Sequence, residues 1–270
     1  MRTKPFTAVV CLTTALCTAV AFAPVAMADA TGDAAAGTDD VVISPAPSTF
    51  DYTPKIKKGY TFTSGKATYK VIKLANKATK TVSDNTDGSY STTYKFSGNV
   101  ELVSYKGGAK ATVPATTSAI VKAKASDNSP VKESASFAVT SIGKGAFDNA
   151  RGHKVKSVVI GKNIASIGDK AFYKCKSLKK ITLKGDQIRT VGPNSDAKLN
   201  RKSKSYVKQL YKLRTKKWKR CKAFEGVPRT CEIKLPNINP SKELNLKYNI
   251  QYSNAIHLLA GSAGYVGVVR

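Results

Sequence analysis

A heptapeptide that returns after 25 residues constrains this chain more than anything else in it. Ser141-Ile142-Gly143-Lys144-Gly145-Ala146-Phe147 is followed by Ser166-Ile167-Gly168-Asp169-Lys170-Ala171-Phe172. A unit this short cannot bury its own apolar face, so a fixed period in this range implies units stacked into a solenoid, each covered only by its neighbours. Beyond each Ala-Phe comes a polar link and then an apolar alternation, Val155, Ser157, Val158, Ile160 in the first unit and Leu178, Lys180, Ile181, Leu183 in the second. A turn or short helical piece is therefore followed by a strand. A third copy opens with Ile188-Arg189-Thr190-Val191-Gly192, aligned with Ile164-Ala165-Ser166-Ile167-Gly168, but its Ala-Phe arrives late, as Ala223-Phe224. A segment is inserted between Gly192 and Ala223, and a degenerate terminal unit runs from Glu225 to Pro236.

The solenoid is expected over 138–236, with Ile142, Phe147, Val158, Ile160, Ile167, Phe172, Leu178, Ile181, Leu183, Ile188 and Val191 as its continuous core. Gly143, Gly168 and Gly192 close the turn before each helical piece, where the chain needs positive φ or a close approach. Upstream, over 55–137, the apolar residues alternate (Tyr60 and Phe62, Tyr69 and Val71, Tyr94 and Phe96, Val100 and Leu102), and Ser97-Gly98-Asn99 and Gly107-Gly108 punctuate them. That pattern predicts a small antiparallel β domain whose aromatic residues either pack or form a ligand platform.

The pattern I-x-x-I-G-x-x-A-F-x-x-C-x-x-L-x-x-I-x-L, present from Ile164 through Leu183, resembles the BspA-type bacterial leucine-rich repeat. The stretch from Gly59 to Val71 resembles the extended segment that precedes such repeats in secreted proteins, and Phe137 to Gly143 resembles its junction with the first repeat. The resemblance implies an α+β chain in which a small N-terminal antiparallel β domain is followed by a short solenoid. It also implies a non-catalytic surface protein that works in attachment, including binding of host matrix proteins. The insertion and residues 237–270 depart from the family pattern.

The first 28 residues have the three regions of a secretory signal peptide: Arg2 and Lys4, an apolar run from Phe6 to about Val25, and Ala26-Met27-Ala28. A leader rich in Ala, Asp, Gly, Pro, Ser and Thr over 29–54 reads as a disordered linker. The C-terminus shows neither a hydrophobic stop segment nor a sortase-type signal. The expectation is a secreted, extracellular product, held at the cell wall non-covalently or released. Cys175, Cys221 and Cys231 remain after processing, an odd set that allows at most one internal disulfide. Cys175 reads as a small core side chain, Cys221 and Cys231 as a staple closing the late repeat. The formal charge of +28 becomes +26 without Arg2 and Lys4, which implies anionic partners.

The insertion, 193–222, concentrates that charge. It holds twelve basic residues, from Lys198 to Lys222, against the single acid Asp196. Val207, Leu210, Tyr211 and Trp218 fall at i, i+3, i+4 and i+11 and mark one stripe of a helix with cations on its other faces. The candidate site is this basic helix, with Lys208, Lys212, Arg214, Lys216, Lys217, Lys219 and Arg220 for polyanion binding and Tyr211 and Trp218 as interfacial residues. Its expected partners are anionic polymers (teichoic acid, a glycosaminoglycan or DNA) or a host matrix protein, with peripheral membrane contact possible and no small-molecule substrate. A membrane-active protein and a structural envelope component are the other readings.

No Gly-rich phosphate loop, G-x-S-x-G elbow or His-Glu-x-x-His run occurs, and no carboxylates are paired at a fixed spacing, so neither an enzyme nor a cofactor or metal is expected. His153 sits in a polar link and reads as a solvated residue, His257 as a packed one. Residues 237–270 carry no functional reading; Ser241 is placed to cap a short helix, and 261–269 reads as an apolar tail or a last strand.

Overall fold

Alternation builds the N-terminal strands. The computed structural model describes residues 51–75, 78–86, 89–236 and 243–270. The expected signal peptide and most of the expected linker lie outside the described residues, as does Ser241. In chain order come β1 (Thr61–Ser64), β2 (Ala67–Leu74), β3 (Thr79–Asp84), β4 (Tyr90–Tyr105), β5 (Lys110–Val113), β6 (Thr116–Lys124) and β7 (Pro130–Ile142). In β7 every second residue points inward, Val131, Ala135, Phe137 and Val139 being buried while Lys132 and Ser136 are exposed. Glu133 occupies one of these inward positions. Its carboxylate accepts from the Tyr52 hydroxyl and from the backbone N–H of Lys55 and of Ile56, both at 2.8 Å. The last residues of the expected linker are thus strapped onto the sheet, with the Tyr52 ring against Tyr94.

The pairs β1–β2, β2–β4, β3–β4 and β6–β7 are antiparallel. The pair β4–β7 is parallel, from Thr92 opposite Val131 to Leu102 opposite Ile142, so the sheet is mixed and not antiparallel throughout. Parallel neighbours require a crossover. Here the crossover passes through β5, which leaves this sheet to pair with β8 (Ser157–Ile160). A turn of the solenoid is therefore already made before the first recognisable repeat, and position 137/138 falls inside β7.

From β7 onward the chain coils between two sheets. β9 (Ser166–Ile167), β10 (Lys180–Leu183), β11 (Thr190–Val191), β12 (Asn194–Ser195), α1 (Tyr206–Lys217), β13 (Glu232–Lys234), α2 (Glu243–Ser262) and β14 (Val268–Val269) follow. One sheet carries Leu102, Ile142, Ile167 and Val191 in successive register. The other is a five-stranded parallel sheet ordered β14-β13-β10-β8-β5, with Ala111, Val158, Ile181 and Ile233 stacked inward. Between them runs a ladder of rings. Tyr105–Phe147, Phe147–Phe172, Phe172–Phe224 and Phe224–Tyr265 have centroids 5.2, 4.9, 5.4 and 5.6 Å apart. The two end rungs are tyrosines. Tyr105 donates to the carbonyl of Lys110 at 2.9 Å, and Tyr265 lies 2.7 and 2.8 Å from the carbonyls of Cys231 and Val268. A hydroxyl that reaches backbone suits a ring at the end of the stack.

All of the core residues expected for the solenoid are buried, at 4 % exposure or less. Gly168 shows why the turn admits no side chain: a Cβ there would lie 2.6 Å from the backbone nitrogen of Lys144 in the coil before. The C-terminal segment, illegible in sequence, closes the stack. In α2, Tyr252, Ala255, Ile256, Leu259 and Ala260 form a buried helical stripe, which Ala263 just past the helix continues. Gly264, at φ +89, ends the helix as the N–H of Tyr265 bonds the carbonyl of Ala260 and its own N–H bonds that of Gly261. The chain can then enter β14 beside β13, which makes the tail a last strand.

Cys175, Cys221 and Cys231 are all buried free thiols, so the expected staple is absent. Cys175 points at the carbonyls of Phe147 and Gly152 as a core residue. Cys221 sits against Gly192, where a Cβ would meet its Sγ at 2.4 Å, while Cys231 begins the β13 coil. His257 is exposed and not packed, because the stripe of α2 passes through Ile256 and Leu259 on either side of it.

Candidate functional site: a basic helix anchored on the solenoid

α1 owes its position to the one acid of the insertion. Asp196 is fully buried and accepts from Arg189 Nε at 2.7 Å, Arg201 Nε at 2.7 Å and the Tyr206 hydroxyl at 2.6 Å. Backbone carbonyls take further guanidinium N–H groups: Arg201 donates through both terminal nitrogens to Asp186 and Ile188, and Arg189 through one terminal nitrogen to Asp196 and Leu199. Arg201 also lies over the Tyr252 ring at 4.9 Å. Burial alone would lower the Arg201 guanidinium, but its hydrogen bond to Asp196 and their attraction outweigh that and raise it. Burial first, and the bond to Asp196 second, raise the Tyr206 phenol. Arg201 counts among the basic residues of the insertion in sequence, yet it is spent on structure.

From this anchor α1 packs on α2. Tyr206 and Leu210 are wholly buried against Ala255 and Leu258, with Val207, Leu199 and Trp218 around them. The buried stripe thus runs through Tyr206 and Leu210, rotated from the expected Val207, Leu210, Tyr211, Trp218 line, because α2 approaches from that side. Tyr211 stands 48 % exposed. Trp218, the first residue past the helix, is half-buried in the packing between the two clusters, and its indole N–H is buried without a partner among the described residues.

Lys208, Lys212, Arg214, Lys216, Lys217, Lys219 and Arg220 are all exposed. None of them forms an ion pair among the described residues; the nearest pair, Lys222 with Glu225 at 3.6 Å, lies beyond them. Arg214, Lys216 and Lys217 occupy the last turn, where free carbonyls favour cations. Past that turn, Asn194 holds the chain by accepting from the N–H of Lys219 at 2.8 Å and donating to its carbonyl at 2.7 Å. Arg214, Trp218, Lys219 and Arg220 come together along an open groove of ≈ 400 Å³ bounded by Glu225 and by the 261–266 turn. Lys208, Lys212, Lys216, Lys217 and Tyr211 lie outside that lining.

Other sequence candidates are dispersed. His153 Nε2 is 3.1 Å from Asp148 Oδ1 at the rim of the first repeat. Tyr69 and Tyr94 are buried, and Phe62 stacks on Tyr69 and Phe137, so the aromatics of the N-terminal strands pack. Among the described residues no group of three or more His, Cys, Asp or Glu could hold a metal, and no helix is long and apolar enough to cross a membrane.

Residues 128–221 match the BspA type leucine rich repeat region, in six copies. Among solved structures, a leucine-rich repeat protein from Bacteroides capillosus ATCC 29799 is similar at 18% identity, over 78% of this chain and 98% of that one, with a TM-score of 0.30. A leucine rich cell surface protein from Faecalibacterium prausnitzii A2-165 is similar at 16% identity, over 65% of this chain and 45% of that one, with a TM-score of 0.29. The pneumococcal vaccine antigen PcpA is similar at 14% identity, over 67% of this chain and 42% of that one, with a TM-score of 0.25. No curated protein matches the chain. The repeat match agrees with the coils and the ring ladder just described: residues 128–221 of this chain are a region of BspA-type leucine-rich repeats.

Proposed function

We propose that this protein is a non-catalytic, extracellular binding protein that attaches to anionic polymers through α1 and the turn after it. The observation that carries this reading is the combination of seven exposed cations, on α1 and the turn after it and without ion-pair partners among the described residues, with a buried ion network that fixes the helix. A merely solvated helix would mix its signs, since a single-sign face repels itself. The repeats supply the rigid scaffold, in keeping with solenoids that serve as binding surfaces.

The test is retention of residues 29–270 on immobilised heparin, teichoic acid, DNA and fibronectin across a salt series. Beside it runs a variant with Lys212, Arg214, Lys216, Lys217, Lys219 and Arg220 changed to Gln. Attachment that displaces condensed counterions weakens steeply with salt, so the parent is expected to elute from the polyanions at far higher salt than the variant. Equal retention of the two would sink the reading, and salt-resistant binding to fibronectin alone would move the site to the solenoid. The exposed Tyr211 beside these cations favours a second reading, a helix that lies on anionic membranes; the packed Trp218 weighs against it. Leakage from anionic vesicles, absent from neutral ones, separates the two.

A further inference from the structure

The open face of the parallel sheet is not left bare along its whole length. At its C-terminal end α2 stands beside β10, β13 and the last strand, and the space between is a groove of ≈ 720 Å³. That size is ordinary for a small-ligand site. Its floor is built by consecutive strands: Lys180 of β10 lies directly opposite Glu232 of β13, with Lys234 two residues on. Arg270 bonds Glu232 through Nε at 2.7 Å and a terminal nitrogen at 3.0 Å. The Arg270 bond, then the nearby charges of Lys180 and Lys234, hold the Glu232 carboxyl below its usual range. With Arg270 and Glu232 matched, Lys180 and Lys234 remain exposed and without a carboxylate partner among the described residues.

The wall has a different chemistry. On α2, Asn249 and Ser253 are one turn apart, as are Ile250 and Asn254, so a row of amide and hydroxyl groups runs beside an apolar-to-amide row. The side chains of Asn249, Ser253 and Asn254 hold no hydrogen bonds with other described residues, and Ile250 is 55 % exposed. Leu235 and Pro236 continue the apolar surface at the groove's end.

We infer that this groove binds a saccharide whose sugar units carry a carboxylate or a sulfate. Neutral groups that both donate and accept match vicinal hydroxyls, the Ile250, Leu235 and Pro236 surface suits the apolar face of a sugar ring, and two unpaired ammonium groups take an acidic substituent as point charges. An acidic peptide fits less well. It would gain affinity by adding a strand to a sheet edge, whereas the floor strands β10 and β13 are paired on both sides. A polyphosphate fits less well too, because the one guanidinium fork in the groove is engaged by Glu232. This site is separate from α1 and does not rest on the function proposed for that helix.

The experiment is calorimetric titration of the protein with a heparin tetrasaccharide (sulfated), a hyaluronan tetrasaccharide (carboxylated only), cellotetraose (neutral) and octaglutamate. It is repeated on Asn249→Ala/Asn254→Ala, on Lys180→Gln/Lys234→Gln and on the six-site α1 Gln variant. Expected is saturable binding of at least one acidic tetrasaccharide, weakened tenfold or more in both groove variants and retained in the α1 variant. Which acidic probe saturates assigns the substituent. The inference is overturned if neither acidic probe saturates, if cellotetraose binds as well, if octaglutamate binds more tightly through the same residues, or if only the α1 variant loses binding. The altered side chains are exposed or half-buried, and an unchanged melting temperature shows that a loss of binding is not a loss of fold.

Discussion

At the scale of single residues, the ring ladder and the buried thiols make the sharpest predictions. Phe172 is wholly buried between Phe147 and Phe224, so Phe172→Ala removes two ring contacts and opens a cavity. The expected loss is about 3–5 kcal/mol, read by denaturant unfolding; a loss under about 1 kcal/mol would mean that the stack can collapse around the gap. Tyr105→Phe keeps the ring and loses only the bond to Lys110, for an expected cost of about 1 kcal/mol. Burial, first among the causes, pushes the Cys175 thiol up to about 12, the Cys231 thiol up to about 11 and the Tyr69 phenol up to about 12. These groups ionise more easily in the unfolded chain than in the folded one. Stability tied to them is complete below their ordinary values and falls as pH rises toward the folded ones. Melting temperature is therefore expected to drop between pH 9 and 12, with the thiols inert to alkylation at pH 8 until the protein is unfolded. Rapid native labelling of Cys175 would contradict the buried placement.

At the scale of elements, α1 is held from beneath and left free on its outer face. Asp196→Ala leaves Arg201 buried without its counter-charge and removes the acceptor of Tyr206. The expected cost is about 3–5 kcal/mol, with earlier amide exchange in α1 than in the strands. Changing the six exposed cations of α1 and the turn after it to Gln removes like-charge repulsion at solvent-exposed positions, so stability is expected to stay within about 0.5 kcal/mol. If the two variants proved equally destabilised, the anchor and the surface would not be separable as described. The basic character of this helix and its flanks was legible in sequence because twelve cations against one acid over 193–222 is a compositional fact. Its orientation was not. Tyr206 and Leu210 face inward because α2, distant in sequence, supplies Ala255 and Leu258. The stripe of α2, from Tyr252 to Ala260, was not read from sequence, because Asn245, Asn249, Asn254 and Gly261 are weak helix formers that obscure its helical spacing.

At the scale of the whole molecule, the stack depends on its two end coils. Ending the chain at Pro236 removes α2, Tyr265 and β14, and exposes Phe224, Ile233 and the end of the ring ladder. A solenoid without a cap is expected to aggregate or to lose its cooperative transition, which size-exclusion chromatography and thermal melts would show; a monomeric, cooperatively melting product would overturn the capping role. The sequence by itself determined the repeats, their core residues and the excess of positive charge, because a period and a composition are local properties that each unit states for itself. Only the tertiary structure decided that β4 and β7 run parallel, that Tyr105 and Tyr265 serve as end rungs, and that Arg201 belongs to the interior while its neighbours face solvent. Pairing and burial of that kind are fixed by partners far along the chain, and a residue's type does not reveal which distant atoms will meet it.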